Sequence, residues 1–226
     1  MNMRLINKLS DDLKKIKYKG SVTLCGYGEP MLHKDIYQIC RRLAEVSFVE
    51  VVTNGDTLKS KSILNLYNSN VNKLLISLYD GPEQIKKFND MIKESGVPKD
   101  FVILRDRWHG ADKDYGLKLT NRTGTINIGN QDELGVFTYC NYPSYSVLID
   151  WNGDVFLCPQ DWQRRVTTGN IMQEDFFNIW TGTALTKYRK NLLNGKRCDN
   201  PCSDCNADGT LLGINHAKIW RKQYKI

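Results

Sequence analysis

From Ser21 to Leu104 the chain alternates short apolar runs with amphipathic helical stripes. Ser21-Val-Thr-Leu-Cys25 leads into Gly26-Tyr-Gly-Glu-Pro30, Phe48–Thr53 into Asn54-Gly55, and Lys73–Leu78 into Asp80-Gly81-Pro82, with Phe101–Leu104 as a fourth run. Between them lie stripes carrying Ile36, Ile39, Cys40, Leu43 and Ala44, then residues 59–68, then residues 83–95 with Ile85, Phe88, Met91 and Ile92 inward. A further stripe of Leu5, Ile6, Leu9, Leu13 and Ile16 precedes the first run. Runs of strand length joined through helices predict a parallel sheet covered by helices. In such folds the turns after the strands carry the ligand sites.

The alternation lapses between Asp106 and Val136, where Gly110, Gly116, Gly124, Gly129 and Gly135 mark a seam of loops. Beyond it, Tyr145–Ile149 and Val155–Leu157 flank Asp150-Trp-Asn152-Gly153-Asp154, and Asn-Gly between two such runs predicts a β-hairpin. Phe176, Phe177, Ile179, Trp180, Leu185, Tyr188 and Leu192 then read as helical, with a break at Gly182. At 226 residues and 41% hydrophobic, the chain is long enough for a real core. No apolar run approaches a membrane span. The start, MNMRLINKLSDDLKK, mixes charges among its apolar residues, unlike a signal peptide, so a cytoplasmic location is expected.

Seven cysteines are uneven in their placement: Cys25 and Cys40 early, then Cys140, Cys158, Cys198, Cys202 and Cys205. In a reducing compartment, clustered cysteines bind metal or react more often than they pair. Cys40 falls on a helical stripe and reads as a small core residue. The hairpin brings its two ends together, so Cys140 before it and Cys158 after it can be neighbours, and Cys202-Ser-Asp-Cys205 adds two thiols from one tight turn. Four such sulfurs suit zinc or an iron–sulfur cluster, and spacing alone leaves that choice open. Cys198 completes a C-x-x-x-C-x-x-C spacing with Cys202 and Cys205, yet no strand precedes it, and it reads as a bystander or fifth thiol. His33, His109 and His216 are too scattered for a triad, while Asp80, Arg105 and Asp161 lie near strand ends or cluster cysteines.

Taken in order, Gly26-Tyr-Gly-Glu-Pro30, Thr53-Asn-Gly55 and Ser77-Leu-Tyr-Asp-Gly81 resemble the successive strand-end motifs of the radical S-adenosylmethionine (SAM) barrel. Cys140 through Cys158, Gly169-Asn-Ile171, Ile179-Trp180 and Cys202-x-x-Cys205 are similar to the SPASM/twitch module. The resemblance implies an α/β fold: a partial parallel (β/α) barrel over 1–110, a connecting segment over 111–136, a small α+β module with a β-hairpin over 137–213, and a basic helix or tail over 214–226. It implies that Gly26, Gly28, Glu29 and Pro30 shape a site for the SAM amino group, that Thr53, Asn54 and Gly55 line the same rim, and that Ser77 offers a hydroxyl toward the ribose. It also implies that Cys140, Cys158, Cys202 and Cys205 ligate an auxiliary 4Fe–4S cluster, in a module whose twitch form serves the oxidation of a substrate alcohol.

The sequence departs from that family in lacking a C-x-x-x-C-x-x-C loop ahead of Gly26, so ligands for a SAM-cleaving cluster are absent and SAM itself stays an open expectation. The expected protein is therefore a cluster-binding part of a radical SAM oxidoreductase or modifying enzyme, completed by an N-terminal strand and loop or by a second chain. The alternative is a stand-alone electron-transfer or docking module. A third reading rests on charge: from Lys187 onward nine Lys and Arg face three Asp, +6 of the formal +7. With Trp220 and Tyr224 among those cations the tail could stack on RNA bases, although a solvated helix face is the plainer reading. The substrate is unassigned, and no membrane partner is expected.

Overall fold

The computed structural model describes residues 1–108, 120–127 and 138–226. Most of the expected connecting segment over 111–136, with Gly116, Gly129 and Gly135, lies outside the described residues, as do His109 and Gly110. The chain divides into two compact units, one running Ile6–Leu117, the other combining Met1–Leu5 with Lys118–Ile226.

Helix α1, Met3–Lys15, buries Leu5, Ile6, Leu9 and Leu13, the i, i+4 repeat of one helical face. Ile16, assigned to the same stripe from the sequence, lies past the helix end and is exposed. The first unit then follows the expected order: β1 Ser21–Leu24, α2 Ile36–Ala44, β2 Phe48–Thr53, α3 Ser60–Tyr67, β3 Lys73–Leu78, α4 Glu83–Ser95 and β4 Val102–Asp106. All four strands pair in parallel, in the order β1-β2-β3-β4. Each neighbour in sequence is the neighbour in space, as successive β-helix-β crossovers produce.

Burial follows from position in that sheet. The inner strand β3 is buried at every position after Lys73, through Leu74, Leu75, Ile76, Ser77 and Leu78, as a strand covered on both faces requires. Strand β2 instead alternates, burying Val49, Val51 and Thr53. Cys40 is fully buried on α2, which packs on β2. Of the four inward residues expected on α4, Phe88 is fully buried and Ile85, Met91 and Ile92 are half-buried. Gly96 ends that helix in the left-handed conformation that glycine adopts without a Cβ clash.

In the second unit, α5 Tyr142–Tyr145 precedes a three-stranded antiparallel sheet of β5 Leu148–Ile149, β6 Asp154–Phe156 and β7 Thr167–Asn170. The Asn152-Gly153 turn joins β5 to β6 with Ile149 opposite Val155, as its turn chemistry predicts. The first hairpin strand is shorter than the sequence suggests: Tyr145 closes a helical turn set by Pro143 near its start, so extended backbone begins after it. Gly182 separates α6 Phe176–Thr181 from α7 Thr183–Leu193, and α8 Ile214–Tyr224 packs against α5 and α7.

The meeting of Gly169-Asn-Ile171 with Ile179-Trp180 has a packing cause. A Cβ on Gly169 would stand 2.8 Å from Ile179 Cγ1, so the strand and α6 approach only over glycine. Asn170 donates from Nδ2 to Asp154 Oδ1 at 2.8 Å, fastening β7 to the hairpin turn. Trp180 and Trp220 sandwich the fully buried Arg189, whose Cζ lies 4.6 and 3.9 Å from the two ring centroids. Arg189 also donates to the Tyr224 hydroxyl at 2.9 Å, so the two aromatics of the basic tail are engaged inside this unit. No helix among the described residues is long and apolar enough to cross a membrane.

Candidate metal centre

Two sets of sequence-predicted residues occupy separate units, and each is assembled from several elements. In the first unit, the loops after β1 and β2 open from the same end of the parallel sheet. Glu29 joins them. Its Oε1 accepts from the Met31 backbone N–H at 2.8 Å, capping a short 3-10 turn at Pro30–Leu32, and from the Thr53 hydroxyl at 2.7 Å. Its Oε2 accepts from the Asn54 N–H at 3.0 Å.

The glycines divide by what surrounds them. Gly55, at φ +82°, receives Phe88 and Ile76 so closely that an added Cβ would lie 2.7 Å from Phe88 Cε1, which marks it as a packing glycine. Gly26 and Gly28 face open space within 4 Å, so backbone near them is approachable from outside. Ser77 is buried on β3 opposite Arg105 of β4. Asp80 is taken by Gln84, which donates to its carboxylate at 2.7 Å and accepts from its N–H at 3.1 Å.

In the second unit, Cys140, Cys158, Cys202 and Cys205 line one small, mostly apolar cavity, together with Thr123, Tyr142, Leu157, Leu192 and Arg197 among others. Cys140 lies just ahead of α5 and is held by an isolated bridge to Gly209, whose carbonyl accepts from Asn141 N–H at 2.8 Å. Cys158 follows β6, and Cys202 opens a 3-10 turn that places Cys205 at its end. Cys25, Cys40 and Cys198 stand apart from the cavity, and Cys198 is exposed. Asp161 is fully buried and accepts from the Val166 N–H at 2.9 Å. No three His, Cys, Asp or Glu side chains among the described residues converge closely enough to hold a single metal ion.

The electrostatics of this cavity oppose free thiolates. Burial pushes the Cys158 thiol up to about 12, with Cys140 and Cys205 adding to the rise. Burial also pushes up Cys202, reinforced by Cys158, Cys140 and Cys205, and burial likewise raises Cys140. Four negative sulfurs in a dry cavity repel one another unless a cation sits among them. The donor set therefore fits a cationic sulfur-seeking centre, with binding coupled to release of thiol protons.

Several supports of the cavity escape a reading of the sequence. Asn121 lies within the seam, yet its N–H donates to Asn206 Oδ1 at 2.8 Å and its Nδ2 to the Asp204 carbonyl at 2.7 Å, holding the Cys202–Cys205 loop from outside. Gly209 is required by bulk. An added Cβ would lie 2.8 Å from Cys140 Cβ and closer still to its sulfur. Neither residue belongs to a local motif; their partners are far along the chain.

Residues 140–206 match SPASM, an iron-sulfur cluster-binding domain. The chain is 26% identical over 212 residues to the S-adenosyl-L-methionine-dependent 2-deoxy-scyllo-inosamine dehydrogenase of Niallia circulans, an alignment spanning 91% of this chain and 80% of that protein. In fold it is similar to the crystal structure of BtrN in complex with AdoMet and 2-DOIA, with a TM-score of 0.78, 25% identity, and coverage of 92% of this chain and 81% of that one. Native anSMEcpe with bound AdoMet shares the fold at a TM-score of 0.57 and 14% identity, over 99% of this chain and 86% of the other.

Proposed function

We propose that this chain, a radical SAM/SPASM-type protein, holds a 4Fe–4S cluster on Cys140, Cys158, Cys202 and Cys205 and serves the SAM-dependent oxidation of a hydroxyl-bearing substrate. The observation that carries the reading is the meeting of four thiols from three separate segments around one cavity. Four thiolates hold either zinc or an iron–sulfur cluster, and the match of residues 140–206 to an iron-sulfur cluster-binding domain favours the cluster. A bound cluster would supply an electron acceptor or a ligating iron beside the substrate.

The chain's own residues have three tasks in this reading. Gly26 and Gly28 leave the backbone open to the SAM amino group, while Glu29, bonded to Thr53 and Asn54, keeps the two loops in one rim. Ser77, buried on β3, is the hydroxyl assigned to the SAM ribose side of that rim. Cys158 and Cys202, the most buried of the four thiols, keep water from the metal. The dehydrogenase relative supports an alcohol as the substrate class.

The barrel unit of this sequence offers Cys25 and Cys40 alone as thiols, and Cys40 is sealed in a helix–sheet core. Reductive SAM cleavage needs three thiolates on one loop, which these two cysteines do not supply. The second reading is a cluster-binding electron-transfer or docking module. The experiment is anaerobic reconstitution with ferrous iron and sulfide, followed by equilibrium dialysis with labelled SAM. Iron with sulfide, together with retained SAM, supports the enzyme reading. Iron and sulfide without SAM favour the module reading, and zinc without iron overturns both.

A further inference from the structure

Arg197 is counted among the tail's surface charges when the sequence is read alone, yet it lines the four-cysteine cavity. Its guanidinium donates from Nη1 to the Cys205 carbonyl at 3.1 Å, and from Nη2 to the Tyr139 carbonyl at 2.8 Å and the Ala207 carbonyl at 2.9 Å. Tyr139 is the residue before Cys140. One side chain thus clasps the segment bearing Cys140 to the segment bearing Cys205, and the planar fork of Arg suits that task where a point charge does not.

Two further features point toward the cavity. Every hydrogen-bond acceptor of Arg197 among the described residues is a neutral carbonyl, so no carboxylate there cancels its charge. Its Nε is buried and has no acceptor among the described residues, a condition that costs free energy unless something absent from the polypeptide completes it. A cationic donor left incomplete on the wall of a cavity built from four thiols matches what an anionic cluster needs around it.

We propose that Arg197 is the positioning and potential-setting residue of the metal centre, with its fork fixing the Cys140 and Cys205 segments and its Nε–H donating to cluster sulfur. The proposal rests on the cluster reading above. A positive charge stabilises the more negative, reduced form of a cluster, so Arg197 raises the reduction potential. Losing the charge lowers it. Losing the fork loosens two ligand segments, and outer supports of this kind change metal affinity by about tenfold or more.

The two contributions separate in Arg197→Lys and Arg197→Gln, reconstituted beside the wild-type chain. In Arg197→Lys the charge remains and the fork is lost, so iron affinity falls about tenfold while the potential stays close to wild type. In Arg197→Gln iron affinity falls similarly and the potential of the remaining cluster shifts negative. Wild-type affinity and potential in both variants would overturn the proposal while leaving the cluster reading intact. A wild-type chain that takes up no iron and sulfide ends both, and by a different observation. Should neither variant fold, the wild-type protein decides the matter. Reduced cluster in protein carrying 15N-labelled arginine is expected to show nitrogen hyperfine coupling, and a spectrum without it rejects the contact.

Discussion

The Glu29 carboxylate accepts the hydroxyl of Thr53 at 2.7 Å, across 24 residues and two strands of the parallel sheet. Thr53 is almost wholly buried and Glu29 half-buried, so this is a part-buried bond between the turns after β1 and β2. A bond to a charged acceptor contributes about 1.5–3 kcal/mol. Thr53→Val should lower stability by that order and Glu29→Ala by more, because Met31 and Asn54 lose the same acceptor. Urea midpoints of the double variant should show less than additive loss. Strict additivity would mean the two loops are not joined in solution.

Gly209→Ala tests the wall against Cys140. The new methyl overlaps the cysteine, so either the bridge opens or the thiol turns away, at a cost of about 1–3 kcal/mol in overpacking. Iron bound after reconstitution should fall sharply. Gly28→Ala, whose Cβ meets open space, serves as the control and should retain wild-type iron. Equal iron in both variants would contradict the placement of Cys140.

Arg189→Ala should destabilise the chain by more than about 3 kcal/mol, since the lost bonds to a buried charge are each worth about 1.5–3 kcal/mol. The side chain donates to the carbonyls of Pro143 at 2.8 Å and Trp180 at 3.1 Å as well as to Tyr224. Thermal unfolding with tryptophan fluorescence reads the change, because Trp180 and Trp220 flank the guanidinium. Wild-type unfolding in Arg189→Ala would show that the sandwich contributes nothing.

Burial pushes the Cys40 thiol up to about 12, against about 8.5 for an unfolded cysteine. A raised folded value means the neutral thiol's contribution is whole below about pH 8.5 and is lost as pH climbs toward 12. Between those limits the wild-type urea midpoint should fall more steeply than that of Cys40→Ala. Parallel slopes would place Cys40 in contact with water.

Much of this architecture is written in local patterns. The order and pairing of the four parallel strands follow from runs such as Lys73–Leu78 and the helical stripes between them, since period and burial are set by near neighbours. The Asn152-Gly153 hairpin and the break at Gly182 are local in the same sense. What the sequence hides is set by distant partners. Asn121 meets Asn206 across 85 residues. Arg197 looks like one more tail cation until its three carbonyls are brought together. Trp220 and Tyr224 resemble an exposed stacking platform because Arg189, their partner, lies on another helix.

Most direct is the iron and acid-labile sulfide held per chain after anaerobic reconstitution, compared across single cysteine-to-serine variants. Wild type, Cys25→Ser and Cys198→Ser should each hold about four of both, while Cys140→Ser, Cys158→Ser, Cys202→Ser and Cys205→Ser should lose most of them. Full iron and sulfide in those four variants, or zinc in place of iron in the wild type, would contradict the account.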